Sequence, residues 1–279
     1  ISELETIDLL MKMIDKLDAS NPIKRKKGKI YYEVKRMKDL FRKMKEESWT
    51  VKHLENCIDA YLEDLPFREE YIYKRGNAKK GNKIGDVKQH LVDKELEKMT
   101  VLRAAVQLFP KFKTLMADAN RYDYNDMILW VLDAFKNDED FLRIQQEKYH
   151  YFLVDEFQDT NGAQSEILEH LIDYWEEPNV FAVGDDDQSI YEFQGARMKN
   201  IMDFYHKFEK SIQVIVMEEN YRSTQNILDS ACILINNNRE RLINQIAGLK
   251  KELSAQNTDL ATLPNKPDIK QYYNTKHEE

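Results

Sequence analysis

The amino-acid sequence predicts a helix-rich α/β protein in which an all-helical region is joined to a partial parallel sheet flanked by helices. Three observations carry that expectation. From Ile1 to Lys148 apolar residues recur three and four positions apart, as in Leu9, Leu10, Met13, Ile14 and Leu17, the spacing of one helix face. After Tyr149 short apolar runs alternate with helix-like segments, the order of a parallel sheet covered on both faces. A charged fraction of 33% with only 8 Gly and 6 Pro in 279 residues suits long helices.

Taken in order, the helical region is broken into blocks by polar, glycine-bearing segments around Asn21 to Gly28 and Gly76 to Gly85. Pro110 is expected to end or kink one block, because it lacks an N–H and its ring crowds the preceding turn. YHYFLVDE from Tyr149, NVFAVGD from Asn179 and IQVIVME from Ile212 each read as a buried strand. Helices are expected over roughly Ala163 to Trp175, Arg197 to Phe208 and Thr224 to Asn237. Beyond Arg239 the polar chain is expected to be helical up to Asn257, and after the Pro264 to Pro267 turn DIKQYYN reads as the start of a further strand. The expected division is a helical domain over 1–120, an α/β domain over 121–257, and a linker over 258–279 that opens a further domain.

Composition excludes several classes. No apolar run approaches the roughly 20 residues that span a bilayer, and the N-terminal ISELETIDLL has no basic region followed by an apolar stretch. Cys57 and Cys232 lie far apart without CxxC or Cys/His spacing, so neither a disulfide framework nor a zinc site is expected, and a cytoplasmic setting fits. The net charge of -8 argues against a polyanion partner, but the average hides an asymmetry. Asn21 to Lys45 and, more weakly, Tyr73 to Lys83 are basic, whereas Asp155 to Asp187 is acidic. Such lysine runs read first as solvated helix faces and second as a phosphate-binding surface.

The sharpest signal is YFLVDEFQDT, Tyr151 to Thr160, an apolar strand ending in adjacent carboxylates. Ligands of α/β sheets gather at the carboxyl ends of strands. Asp155 would support Mg²⁺, a hard cation that takes one or two protein carboxylates beside substrate phosphates, and Glu156 would orient and deprotonate an attacking water. A lone hydrophobic-Asp-Glu match is as often a helix cap; the full decapeptide is far more specific. VGDDDQSIYEFQGA, Val183 to Ala196, also leaves a strand. Its Asp185, Asp186 and Asp187 would make a solvated acidic loop or a calcium cluster, although calcium-loop spacing is missing. Gln188 is an amide able to touch a γ-phosphate and a water, while Tyr191 and Phe193 offer rings for stacking unpaired bases or for a core. In MEENYRSTQNIL, Met217 to Leu228, Arg222 offers a planar charged fork and Tyr221 a ring suited to adenine; alone, the pair would read as a surface ion pair.

In this order the three segments closely resemble motifs II, III and IV of superfamily 1 DNA helicases of the UvrD, Rep and PcrA kind, and RYDYNDMILWVLDAF from Arg121 resembles the helix start before motif II. The resemblance covers about Arg121 to Asn238, and ISELETIDLLMKMID resembles more loosely the opening of the family's 1B subdomain. It implies a 1B-like helical subdomain on a partial RecA-like domain 1A, and ATP, Mg²⁺ and single-stranded or duplex-junction DNA as cofactors and partners. It implies that Asp155 supports magnesium, Glu156 is the base, Gln188 senses the γ-phosphate, Arg222 stabilises the transferring phosphoryl group and Tyr221 stacks on adenine. Tyr191, Phe193 and Gln194 would lie along DNA. Phe193 stands where the family usually has tryptophan, and Gln194 lacks the charge of the usual arginine.

No G-x-x-x-x-G-K-[ST] occurs; the Gly28-Lys29 pair is followed by Ile30. The expectation is an internal fragment with a P-loop NTPase fold lacking its P-loop strand, inactive alone. The P-loop segment and a second RecA-like domain of the same polypeptide would complete it. The competing readings are a magnesium-dependent phosphohydrolase and an inactive nucleic-acid-binding or scaffold module of the same fold.

Overall fold

Ser2 opens the first helix, α1 (Glu3–Asp15), through a capping box in which its hydroxyl accepts from the Glu5 N–H and the Glu5 carboxylate accepts from the Ser2 N–H. The computed structural model describes residues 1–24, 29–76, 81, 83–188, 198–261, 263, 268 and 270. It divides into two compact units, Ile1–Phe152 with Asn161–Phe181, and Leu153–Thr160 with Ala182–Glu279.

The first unit is built on α1, α2 (Val34–Glu46), α3 (Val51–Asp64) and α4 (Gln89–Asp118). Leu10, Met13 and Ile14 of α1, Met37 and Phe41 of α2, and Val106, Phe109 and Phe112 of α4 enter one core. Phe41 meets Phe109 and Phe112 at ring-centroid distances of 5.3 and 5.1 Å. Each such side chain contributes roughly 1.5–3 kcal/mol by leaving water. Of the two outcomes expected at Pro110, an end or a kink, the end is not found, and this burial explains why: α4 runs through it. The buried residues Val106, Phe109, Phe112 and Met116 lie on both sides of Pro110, so packing outweighs the roughly 3 kcal/mol that an interior proline costs.

Helix α5 (Tyr124–Asn137) starts at Asp123, whose carboxylate accepts from the Asp126 N–H while Asp126 accepts from the Asp123 N–H. Buried Lys45 donates to both, at 2.9 Å to Asp123 and 2.8 Å to Asp126. Burial pushes the Asp123 carboxyl up, but the Lys45 ammonium outweighs it and holds the group below its ordinary value. Two more helices complete the unit, α6 (Glu139–Lys148) and α7 (Gly162–Ile172), and Gln146 donates 2.7 Å to the His170 carbonyl between them. A Cβ at Gly162 would lie 3.2 Å from the Glu47 Cα and 3.3 Å from its carbonyl oxygen, so the close approach of α7 to the end of α2 favours glycine.

Two of the three expected strands form, but not as buried ones: each alternates exposed and half-buried residues, with Tyr151, Leu153 and Phe181 exposed. β1 (Tyr151–Val154) and β2 (Asn179–Ala182) make a two-stranded sheet. Just beyond their ends Val183 donates to the Val154 carbonyl at 2.8 Å and accepts from the Phe157 N–H at 2.9 Å. The run from Ile212 is no strand up to Met217; only β3 (Glu219–Asn220) forms, paired in parallel with β4 (Ser254–Ala255). A strand persists only where its backbone finds a neighbour. Val214, Ile215 and Met217 are exposed, outside either sheet.

Helices α8 (Met198–Lys207) and α9 (Gln225–Ile235) match their expected positions. The helix expected up to Asn257 does not form: α10 (Leu242–Gln245) and α11 (Thr258–Ala261) are single turns. Gly248 between them takes φ +83°, a left-handed conformation that breaks a helix. The strand expected over DIKQYYN lies largely outside the described residues. Among the described residues no helix is long and apolar enough to cross a membrane, and Cys57 and Cys232 are free and exposed.

Candidate active site

β1 delivers Asp155 and Glu156 to its carboxyl end, where both are exposed. The chain turns sharply there: Glu156 adopts φ 49° and ψ 45°, a left-handed conformation seldom taken by a residue with a Cβ. Its N–H donates 2.9 Å to Asp155 Oδ1. A single 3₁₀ turn, Phe157–Asp159, follows and is anchored by the buried Phe157, whose ring meets Phe204 of α8 edge-on at 5.4 Å. Asn200 of the same helix donates 2.8 Å to the Thr160 carbonyl.

The segment leaving β2 comes to the same place. Gln158 is 1% exposed; its Nε2 donates 2.6 Å to Glu156 Oε2, and its Oε1 accepts from the Asp185 N–H at 3.0 Å. Gln188 donates 2.6 Å from Nε2 to Asp185 Oδ2. Three of the residues singled out from the sequence, Asp155, Glu156 and Gln188, are thus joined in one hydrogen-bonded group. Asp155 offers a hard, exposed carboxylate of the kind Mg²⁺ prefers, so the donor set fits that ion.

Asp185, Asp186 and Asp187 each place a carboxylate oxygen within 4.8 Å of the others. Two cations of the chain, Lys251 and Arg241, offset most of the charge among them. Lys251 pairs with Asp185 and lies 3.0 Å from Asp186 and 2.9 Å from Asp187. Arg241, 3% exposed, grips Asp187 with two bonds of 2.7 and 2.8 Å. Burial works to lower the Lys251 pKa, but its bonds to the three carboxylates outweigh that and raise it above the ordinary value. Burial likewise pushes Asp185 up, and Lys251 and Gln188 bring it below the usual carboxylate range.

The third segment is more open. Asn220 accepts from the N–H groups of Arg222 and Ser223 at 3.0 and 2.8 Å, a turn that leaves the Tyr221 and Arg222 side chains exposed. The Tyr221 hydroxyl donates 2.7 Å to Glu219, which raises its pKa. Among the described residues no hydrogen bond or ion pair joins either side chain to Glu156 or Gln188. Tyr191, Phe193 and Gln194 lie outside the described residues. Sequence reasoning missed Gln158, Arg241 and Lys251. Gln158 had a signal, an amide inside the acidic decapeptide; Lys251, 66 residues from Asp185, had none.

Several cations of the basic stretch have partners within the chain. Lys24 donates to the Asp15 and Leu17 carbonyls, Lys38 pairs with Glu3, Arg42 with Glu46, and Lys45 is buried. Of these cations only Lys45 is buried, and Arg25 to Gly28 lie outside the described residues.

The fold and site define a helix-rich α/β protein that gathers carboxylates at the ends of short strands. Residues 3–209 match the family model of the UvrD/REP helicase N-terminal domain. The chain is 38% identical over 136 residues to the ATP-dependent DNA helicase PcrA of Leuconostoc citreum, covering 49% of this chain and 18% of that one. It is 39% identical over 139 residues to a probable DNA helicase II homolog of Rickettsia conorii, covering 50% and 21%. With DNA helicase II of Haemophilus influenzae it shares 37% over 140 residues, covering 50% and 19%. The chain belongs to the UvrD/REP helicase family. Its matches span about a fifth of the length of these relatives.

Proposed function

We propose that this chain is part of the ATP-driven motor of a DNA helicase and translocase acting in the cytoplasm, with residues 1–120 as a 1B-like subdomain and 121–257 as part of a RecA-like domain 1A. The observation that carries the reading is the hydrogen-bonded group formed by Asp155, Glu156 and Gln188 at the ends of β1 and β2. Asp155 holds Mg²⁺, which supplies charge stabilisation for the phosphates. Glu156 accepts the proton of the attacking water, and Gln188 touches the γ-phosphate. Arg222 places positive charge on the transferring group and Tyr221 stacks on adenine, while Tyr191, Phe193 and Gln194 follow single-stranded DNA.

In the full-length protein Glu156→Gln should retain ATP binding and lower hydrolysis by roughly 10²-fold or more, the scale of losing a general base. Wild-type turnover in that variant sinks the assignment. A scaffold that has lost hydrolysis would show no turnover with Glu156 in place, under ATP, Mg²⁺ and single-stranded DNA.

A further inference from the structure

Gln158 is almost fully buried, although burying an amide is unfavourable unless both its ends are bonded. Both are. Nε2 donates to Glu156 Oε2 and Oε1 accepts from the Asp185 N–H. The partners fix the amide orientation, because an ionised carboxylate only accepts and a backbone N–H only donates. Room is left for it by Gly184, where a Cβ would lie 2.7 Å from Gln158 Oε1. Asp185 then passes the connection on, its Oδ2 accepting from Gln188 Nε2. An apolar side chain of the same length would fill this space without needing partners, so packing alone does not explain an amide here.

We propose that Gln158 is a positioning residue. It holds the exposed Glu156 carboxylate on one side and the loop bearing Gln188 on the other, so that proton acceptor and phosphate-sensing amide are set by one side chain. Glu156 sits on a left-handed backbone at a sharp turn, and its carboxylate accepts from the Gln158 amide. This inference rests on the ATPase reading given above.

The test uses the full-length protein and its ATPase with single-stranded DNA. Gln158→Met keeps the volume and removes both bonds; kcat should fall about 10- to 100-fold, with KM for ATP changed less than about threefold. Gln158→Glu keeps the acceptor for Asp185 and loses the donor to Glu156 unless the introduced carboxyl is protonated. Its kcat relative to wild type should therefore rise as pH falls from about 8 to about 6. In a Glu156→Gln background, Gln158→Met should cost little more, because the two residues act as one unit.

Wild-type kcat in Gln158→Met, a Gln158→Glu profile parallel to wild type, or additive losses in the double variant would each overturn the proposal. If Gln158→Met does not fold, the Gln158→Glu profile decides. Full turnover in Glu156→Gln defeats the ATPase assignment and this inference together; an inactive Glu156→Gln beside wild-type Gln158 variants defeats this inference alone.

Discussion

Lys251 Nζ lies 3.0 Å from Asp186 Oδ1 although 65 residues separate them. Asp186 also accepts from the Leu242 N–H at 2.8 Å and Arg241 grips Asp187, so the segment after α9 is fastened to the loop after β2 through Arg241, Leu242 and Lys251. Lys251→Met would leave three carboxylates close together with only Arg241 to balance them. The expected loss is about 3 kcal/mol, the low end for breaking a buried pair because Asp185 is partly exposed. Denaturant unfolding of the purified protein measures it, and a midpoint unchanged from wild type would show the pairs to be incidental.

The same cluster sets a pH dependence. Asp185 is held below its ordinary 3.8, so its stabilisation is full above that value and lost as pH falls through the lower folded-state value. Lys251 is raised above 10.5, so its share is full below 10.5 and lost as pH rises through the higher folded-state value. The stability difference between wild type and Lys251→Met should therefore be flat between these limits and shrink beyond both. A difference that varies steadily through neutral pH would contradict this account.

Lys45 shows how a basic stretch can mislead. Its ammonium bridges the two capping carboxylates of α5 with its side chain only 2% exposed. Lys45→Met should destabilise the protein by about 3 kcal/mol by stranding those carboxylates, the low end for a buried pair because Asp123 is partly exposed. At a temperature where the variant is folded, the salt dependence of its DNA affinity should match wild type, since a buried cation releases no counterions from DNA. A shallower salt slope would place Lys45 at the nucleic acid instead.

What the sequence made legible was local. The helix start within RYDYNDMILWVLDAF, the apolar runs of β1 and β2, and the acids at the end of β1 depend on neighbours a few residues away. Long-range compensation was not legible. Nothing near Val214 says whether a strand partner is within reach, and nothing near Pro110 says that Phe109 and Phe112 will be buried. Gln158 was readable as part of a motif, but its role between Glu156 and Asp185 depends on two segments meeting.

The last prediction concerns residues 1–279 on their own. Phosphoryl transfer depends chiefly on positioning the phosphates and stabilising their charge. The sequence holds no G-x-x-x-x-G-K-[ST], so the backbone amides and lysine that cradle β- and γ-phosphates have no counterpart in it. Among the cations, Lys251 and Arg241 are committed to the aspartate cluster, and Lys45 is buried. These residues alone should show no ATPase stimulated by single-stranded DNA and no unwinding, with at most weak, salt-sensitive DNA binding. Phosphate release measured with and without single-stranded DNA decides it. Turnover that persists through purification and vanishes in Glu156→Gln would reveal a phosphate-binding element of a different kind in this chain, whereas turnover indifferent to that substitution would come from a contaminant.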